Sequence, residues 1–334
     1  MYKSLWVALA FWACLDACQA QSASIHFLSA AESRSALTQG KGGEYFELLH
    51  IPDLRAKTGL ALQDLSLEAA REQARAAYAA ATLDFTAEEQ AALSEAIEAI
   101  QPLLVERAPL YARTPWSFIK VDSRPEGGLP HTRGDSIVLS DQVLASIVKA
   151  RSRAPLTTPS QVWNLLVHEQ THVIQRRHPE LFASLYTSVY GFRKITLVPT
   201  PDWISSVRVI NPDGPDVDWI FSVGEGASMQ WLLPDILTAN PNHPRMPQDF
   251  QIVAFGVRKL GNTWTYLDPA SPGNPQPLYG IDSYVQRFPT RDELFHPNEI
   301  AATMLAAWIT GVGMTNPDNE MWSKMKDWAA GALK

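Results

Sequence analysis

Residues 164–178, NLLVHEQTHVIQRRH, place two of the chain's eight histidines four positions apart, with an acid directly after the first. The histidines are His168 and His172, and the acid is Glu169. On a helix, residues four apart lie on one face a single turn apart, so both imidazoles can converge on one ion. The carboxylate of Glu169 then lies beside that ion without having to ligate it. The stretch therefore predicts a helix that binds a metal ion.

Signals on both sides of this stretch predict where the helix begins and ends. Upstream, Thr158 can cap the helix, Pro159 suits its first position, and Gln161 can close a capping box. Downstream, Pro179 disfavours helix beyond about residue 177. The apolar side chains that the helix can bury are Val162, Leu165, Leu166, Val173 and Ile174.

The rest of the sequence restricts the chemistry of such a site. Both cysteines, Cys14 and Cys18, lie in an N-terminal segment that reads as removable, so a metal ion must be held by histidine, aspartate or glutamate. His-Glu-x-x-His on a helix is the arrangement of zinc hydrolases. Zinc held by two histidines needs a third protein ligand and keeps a fourth position for water, whose pKa falls to roughly 7. The alternative is a buried helix whose histidines make ordinary hydrogen bonds.

Two downstream glutamates are candidates for the third ligand. Glu299 follows Pro297, which can open a helix, so its side chain would project from the first turn. Glu225 lies between two glycines, which allow close backbone approach or a bulge. Glu299 is also followed by small residues that allow close packing against another helix. These are Ala301, Ala302, Ala306 and Ala307.

The chain resembles the gluzincins, the zincin metallopeptidases in which a glutamate on a later helix is the third zinc ligand. His168, Glu169 and His172 match the motif of that group, and residues 296–302, HPNEIAA, resemble its third-ligand segment. The resemblance implies zinc as the cofactor, with His168, His172 and Glu299 as its ligands and Glu169 as the general base.

This resemblance covers only the active helix, the strand before it and the Glu299 segment. Residues 223–227, VGEGA, resemble another version of the third-ligand segment but lack its usual following acid, so Glu225 stays the alternative ligand. The 127 positions between His172 and Glu299 are many for a compact gluzincin. An intervening lobe at 199–288 would explain this distance.

Two supporting features are expected on the same grounds. In zincins, an edge strand before the active helix binds extended peptide by main-chain pairing, and residues 134–140, GDSIVLS, are similar in position and character. A hydrogen-bond donor is also needed for the oxyanion that forms during hydrolysis. Three residues near Glu299 in sequence are candidates, and we select Tyr284 over Tyr279 and His296.

The N-terminus reads as a secretory signal peptide over residues 1–20. Lys3 precedes an apolar run at 5–15, and small residues follow it. The run is too short for a stable membrane span. The sequence therefore predicts a secreted or periplasmic protein. Residues 15–18, LDAC, resemble a lipobox, which keeps a lipid anchor through Cys18 as an alternative.

The remaining pattern predicts an α+β fold. Residues 62–107 are rich in helix formers, with a capping-box pattern at 86–89, whereas 116–122 and 136–140 are typical of strands. Short strands and turns follow, and helices return at 297–310 and near 319–330. We expect a zincin-like catalytic core with an active-site helix beside a small sheet, plus helical and irregular β additions.

The expected domain organisation follows from this order of elements. It has a signal peptide at 1–20, an N-terminal helical region at 21–114 and a zincin-like catalytic region at 115–334. A strand and loop lobe is inserted into the last region around 199–288.

Charge and motif together define the expected function. The net charge is -7 and lysines and arginines are not clustered, which excludes a nucleic-acid patch. We expect an exported zinc metallopeptidase that acts on a peptide or protein substrate. Two alternatives stay open. One is a non-proteolytic exported protein stabilised by zinc, which a closed site with both Glu225 and Glu299 would favour. The other is a zinc hydrolase of a non-peptide amide, with a narrow pocket and no edge-strand pairing.

Overall fold

The computed structural model describes residues 23–62, 64–290 and 293–334, and it shows an α+β protein. The signal peptide expected at 1–20 and the alternative lipid anchor at Cys18 lie outside the described residues. Among the residues that are described, no helix has both the length and the apolar character needed to cross a membrane.

A mixed sheet of five strands lies in the first half of the described chain. Its strands are β1 (Ile25–Phe27), β2 (Thr82–Leu83), β3 (Trp116–Val121), β4 (His131–Arg133) and β5 (Ser136–Ser140). Their order is β1-β3-β5-β4, and β2 also pairs with β3. β3 runs parallel to β1 and β5, whereas β4 is antiparallel to β5. The strands expected at 116–122 and 136–140 are therefore confirmed.

Helices surround this sheet. Those that precede the motif helix are α1 (Ala30–Thr38), α2 (Gly40–Leu48), α3 (Ile51–Thr58), α4 (Leu67–Ala80), α5 (Ala87–Arg107), α6 (Pro109–Arg113) and α7 (Asp141–Arg153). At the start of α5, the Thr86 hydroxyl accepts from the Glu89 N–H, and the Glu89 carboxylate accepts from the Thr86 N–H. The predicted capping box is confirmed.

The motif helix, α8 (Gln161–Arg177), ends where the sequence predicts but begins later. The expected cap at Thr158 is wrong, because Ser160 is the N-cap. Its backbone is extended, with φ -153°, and its hydroxyl accepts from the Trp163 N–H. A side-chain acceptor for the free N–H groups of the first turn decides the start of a helix, so Pro159 lies before it.

A second, antiparallel sheet follows within the described chain. Its strands are β6 (Arg193–Lys194), β7 (Trp219–Val223), β8 (Gln230–Thr238), β9 (Phe250–Leu260), β10 (Thr263–Tyr266) and β11 (Gln276–Pro277). Their order is β10-β9-β8-β7-β6, with β11 also paired to β9. The remaining helices are α9 (Pro179–Ser184), α10 (Asp202–Ser205), α11 (Asp282–Val285), α12 (Pro297–Thr310) and α13 (Glu320–Ala332).

One large hydrophobic cluster connects most of these elements. It contains buried side chains of α5, of the first sheet, of the motif helix, of β7 and of the two C-terminal helices. A separate cluster fills the second sheet, around residues such as Leu233 and Phe255. Because β1 pairs with β3 and α5 shares the large cluster, the described parts of the regions 21–114 and 115–334 are packed together. The expected division into these regions stays a prediction.

Candidate metal centre

The two helices that carry the expected ligands, α8 and α12, pack against each other in the core. α12 begins as predicted at Pro297, and the His296 ring caps it by accepting from the Asn298 N–H. Glu299 therefore lies in the first turn, where its side chain is buried. Small buried residues follow, including Ala301 and Ala302, and these permit a close approach between helices.

The structure brings His168, His172 and Glu299 together. Nε2 of His168 and Nε2 of His172 are 3.1 Å apart. Oε2 of Glu299 is 3.4 Å from the first nitrogen and 3.2 Å from the second. A metal ion with bonds of 2.0–2.1 Å in tetrahedral geometry separates its ligand atoms by about 3.3 Å. The three atoms therefore form a triangle of the size that one such ion requires, and we call His168, His172 and Glu299 the metal triangle.

Hydrogen bonds fix which nitrogen of His172 points at this triangle. Nδ1 of His172 lies 2.8 Å from Oε1 of Gln175, and Nε2 of Gln175 donates to the Asn298 carbonyl at 2.9 Å. That second bond fixes the orientation of the Gln175 amide, so its oxygen accepts and Nδ1 carries the proton. Nε2 is then the nitrogen available to a metal ion.

Charge in the site also favours a cation. Burial alone would lower the pKa of His172, but the carboxylates of Glu299 and Asp213 outweigh it and raise the pKa to about 9. The site therefore attracts positive charge, which a proton or a metal ion can supply. Two protonated imidazoles with nitrogens 3.1 Å apart would repel each other, so the geometry suits one shared cation, a proton or a metal ion.

The third ligand is oriented by a residue from another part of the chain. Nδ2 of Asn211 donates to Oε1 of Glu299 at 2.5 Å, which leaves Oε2 facing the two histidines. Burial would raise the pKa of Glu299, but the neighbouring His172 and His168 hold it well below its usual value. Glu299 is thus an ionised carboxylate, as a metal ligand must be.

Glu169 lies beside the triangle but outside it. Its carboxyl group is buried, and no described residue forms a hydrogen bond with its Oε2. Burial raises the pKa of Glu169 well above its usual value, and the negative charges of Asp213 and Glu299 add to the effect. A carboxylate with a raised pKa and an unpartnered oxygen has the properties of a proton acceptor.

Two other expected site residues lie elsewhere. Tyr284 is fully buried, and its hydroxyl donates to the Leu294 carbonyl at 2.5 Å. The expectation that Tyr284 stabilises an oxyanion is therefore wrong, because its one proton is already donated inside the core. Glu225 lies on an exposed turn, where its backbone N–H donates to the Ser228 hydroxyl, and it is not part of the metal triangle.

The strand expected to bind substrate is also placed differently. β5 was expected at the edge of the sheet, but it lies between β3 and β4. A tight turn at Gly134, with φ +54°, reverses the chain, so that β4 covers the side of β5 that would otherwise be free. The short strand β4 is the edge strand on the side of α8.

Sequence reasoning missed several residues around the triangle. Glu293 has Oε2 at 3.6 Å from Nε2 of His168, and its side chain is about half exposed. Asp213 and Asn211 come from a segment that reads in the sequence only as a proline-rich turn. Glu293 could have been found by its position six residues before Glu299, whereas the other two have no local signal.

The metal triangle opens into a cavity of about 730 Å³. Its walls are largely apolar, and a buried ion pair of Lys57 with Glu126 also lines it. Comparison of the chain with protein-family models, with curated proteins and with solved structures finds no match. The chemistry of the site therefore has to be argued from its own residues.

Proposed function

We propose that the chain is an exported, zinc-dependent metallopeptidase of the gluzincin type. The observation that carries the proposal is the triangle of His168, His172 and Glu299, with ligand atoms 3.1–3.4 Å apart, beside the buried carboxylate of Glu169. Two imidazole nitrogens and one carboxylate are a ligand set of catalytic zinc sites. In this proposal α8, the first sheet and α12 make up a zincin-like core.

Each residue has a distinct role in the proposed reaction. When bound, zinc supplies a Lewis acid that lowers the pKa of water and polarises the carbonyl under attack. Glu169 accepts a proton from the attacking water while the oxygen adds to the carbonyl carbon. When the C–N bond breaks, Glu169 gives this proton to the leaving amine. Gln175 and Asn211 keep His172 and Glu299 in orientation throughout.

The structure bears differently on the two alternatives, a zinc that only stabilises the fold and a zinc hydrolase of a non-peptide amide. A closed site with four protein ligands would favour a purely stabilising zinc, but Glu225 is exposed and outside the triangle. A zinc hydrolase of a small non-peptide amide is a second candidate, because a limited cavity adjoins the triangle and the edge strand is covered, as described below. The peptidase and the amide hydrolase would use the same ligands and the same base.

The first test is zinc content together with hydrolysis. Purified wild type, loaded with zinc and dialysed, is expected to hold about one zinc per chain, and so are Glu225→Ala and Glu169→Gln. Glu299→Ala is expected to lose the ion. Glu169→Gln should lose hydrolysis of a peptide library by roughly 10³-fold, because the base is gone while the ligands stay. A wild type without zinc, or full activity in Glu169→Gln, would rule the proposal out.

A further inference from the structure

The edge strand of the first sheet is covered by a segment of the chain itself. We call residues 209–213 (Val-Ile-Asn-Pro-Asp) the crossing segment. Oδ1 of Asp213 accepts from the backbone N–H of Thr132, the middle residue of β4, at 2.8 Å. Nη2 of Arg176, near the end of α8, donates to the Pro212 carbonyl at 2.8 Å and to the Thr132 carbonyl at 3.4 Å. Both backbone polar groups of Thr132 therefore have partners outside the sheet.

This arrangement removes the groups that an extended substrate would need. Strand addition requires free N–H and C=O groups along an exposed edge. In an antiparallel pair, alternate residues direct these groups towards the partner strand. His131 and Arg133 are paired with β5, and Thr132, which faces away from it, is bound to Asp213 and Arg176. The three-residue edge strand has no position left for a substrate strand.

The crossing segment is held firmly at several points. Nδ2 of Asn298, in the first turn of α12, donates to the Asp213 carbonyl at 2.7 Å. On the other side, the backbone N–H of Ile210 donates to Oδ1 of Asp53 at 2.6 Å, and Asp53 is fully buried in α3. Asn211 is bound to Glu299, as described above. Moving the segment aside would break buried hydrogen bonds and disturb a metal ligand.

The space that remains beside the triangle is limited and apolar. A cavity of about 730 Å³ is in the range that encloses a small organic ligand. Apolar side chains of the second sheet and of the segment before α12 line it, among them Ile236, Phe250 and Phe295. Polar side chains also line it, among them Asn164 and the buried pair of Lys57 and Glu126, which are bonded to each other at 2.7 Å.

We propose that the site accepts short peptides or other small amides with apolar substituents, and that the crossing segment excludes extended protein strands. This inference rests on the proposed hydrolytic function and specifies its substrate class. Specificity by length follows from the covered edge, and preference for apolar groups follows from the cavity wall.

The test compares one short and one long peptide on the zinc-loaded chain. The short peptide is trileucine amide, and the long one is a twelve-residue peptide with three leucines at its centre between glycine and serine flanks. We expect a kcat/KM at least ten-fold higher for the short peptide, measured by mass spectrometry of the products. Equal or faster internal cleavage of the long peptide would overturn the inference while leaving the proposed function intact.

Binding makes the test independent of turnover. Zinc-loaded Glu169→Gln is titrated calorimetrically with each peptide, and tighter binding of the short one is expected. Equal or tighter binding of the long peptide, or no binding of either, would overturn the inference. If the short peptide binds but wild type hydrolyses nothing, the proposed function fails and the inference about size stands.

A variant tests the role of the crossing segment directly. Asp213→Ala frees the Thr132 N–H, so cleavage of the long peptide relative to the short one should rise at least five-fold. The matched control is Asp216→Ala, an exposed acid three residues further on, which should leave the ratio unchanged. If Asp213→Ala does not fold, as judged by circular dichroism, Asp53→Ala removes the acceptor of the Ile210 N–H and loosens the same segment. An unchanged ratio in the folded variant would overturn the role of the segment.

Discussion

Two buried groups of charged residues contribute to the walls of the same cavity, and they differ in whether the charges that face one another are balanced within the chain. The first, the Glu126 cluster, consists of Lys57, Glu126, Arg133, Tyr45 and Tyr78. The second, the metal triangle with its base, consists of His168, His172, Glu299 and Glu169. Both are sealed from solvent almost entirely, so burial alone does not separate structure from function.

Within the Glu126 cluster both carboxylate oxygens of Glu126 have donors, although Nε of Arg133 has no hydrogen-bond partner among the described residues. Oε2 of Glu126 is 2.7 Å from the Lys57 ammonium, and its Oε1 accepts from Arg133 at 3.0 Å. Two tyrosine hydroxyls, of Tyr78 at 2.7 Å and Tyr45 at 3.1 Å, also donate to Oε1. Burial would raise the pKa of Glu126, but the two cations outweigh it and lower the pKa to about 2. The carboxylate of Glu126 therefore needs no cation from outside the chain.

The metal triangle, by contrast, brings lone pairs together. Two imidazole nitrogens and a carboxylate oxygen face one another within 3.4 Å, and the nearby Glu169 has a raised pKa. Facing acceptors need a shared cation, whereas an ion pair with donors does not. The difference between the two groups is thus the physical reason why we propose a ligand for one and a structural role for the other.

Glu126→Gln is the variant with the largest expected effect, and it tests whether the two groups are separate. It leaves Lys57 and Arg133 buried without a counter-charge, so we expect the free energy of unfolding to fall by about 3–5 kcal/mol, measured with denaturant. Zinc stoichiometry should stay at that of the wild type. The matched control is Glu47→Gln, which breaks exposed pairs with Arg71 and Arg75 and should cost less than about 1 kcal/mol. Loss of zinc in Glu126→Gln would contradict the separation of the two groups.

Lowering the pH should destabilise the wild type through the Glu126 cluster, without any mutation. The pKa of Glu126 is about 2 in the folded protein and near its ordinary value of 4.5 in the unfolded chain. The unfolded chain therefore binds the proton first, and stability that is present above pH 4.5 is lost as the pH falls towards 2. The loss attributable to this group is about 3 kcal/mol, from the difference in pKa.

This acid dependence is checked by unfolding wild type and Glu126→Gln at several pH values between 5 and 2. The variant starts from a lower free energy of unfolding but should lack this part of the decline. Parallel curves for the two proteins would show that Glu126 is not held in its ionised form.

Gln175→Ala tests the metal triangle without removing a ligand, because Gln175 contacts His172 but not the metal position. Gln175→Ala removes the acceptor for the Nδ1 proton, so zinc affinity should fall about 10–100-fold while one zinc still binds at saturation. Competition with a chelator measures the affinity. The matched control is Gln142→Ala, whose side chain bonds Ser123 on an exposed surface. Equal affinities in both variants would remove Gln175 from the description of the site.

The features that the sequence could predict are those set by residues close together in the chain. The start of α5 at Thr86, the end of α8 at Arg177 and the placement of Glu299 in the first turn of α12 all follow from neighbouring residues. Their physics is local: a cap, a proline, a helical repeat. The choice of Glu299 over Glu225 rested on such local signals together with the resemblance of residues 296–302 to a third-ligand segment, and it agrees with the triangle.

The failures have a long-range origin. The Glu126 cluster joins four segments, since Tyr45, Tyr78 and Lys57 lie 81, 48 and 69 positions from Glu126 and Arg133 lies 7 away. Asp213 covers Thr132 from 81 positions along the chain. No periodicity or capping rule reports which distant segment lies over an edge strand. The same limit explains why Tyr284, near Glu299 in sequence, was assigned to a site that it does not reach.

Tyr284 provides the smallest and most specific of the expected effects. Tyr284→Phe removes the hydroxyl that donates to the Leu294 carbonyl and leaves that carbonyl without this donor, so stability should fall by roughly 1 kcal/mol. The ring stays packed against Phe221, Phe192 and Phe288, which limits the loss to the hydrogen bond. Because the hydroxyl is buried away from the triangle, kcat/KM at saturating zinc should not change. A ten-fold loss of activity with unchanged stability would instead mean that Tyr284 reaches the reacting carbonyl in another conformation of the chain. The contrast between structural and reactive groups would then have to include one residue that moves from the core to the site.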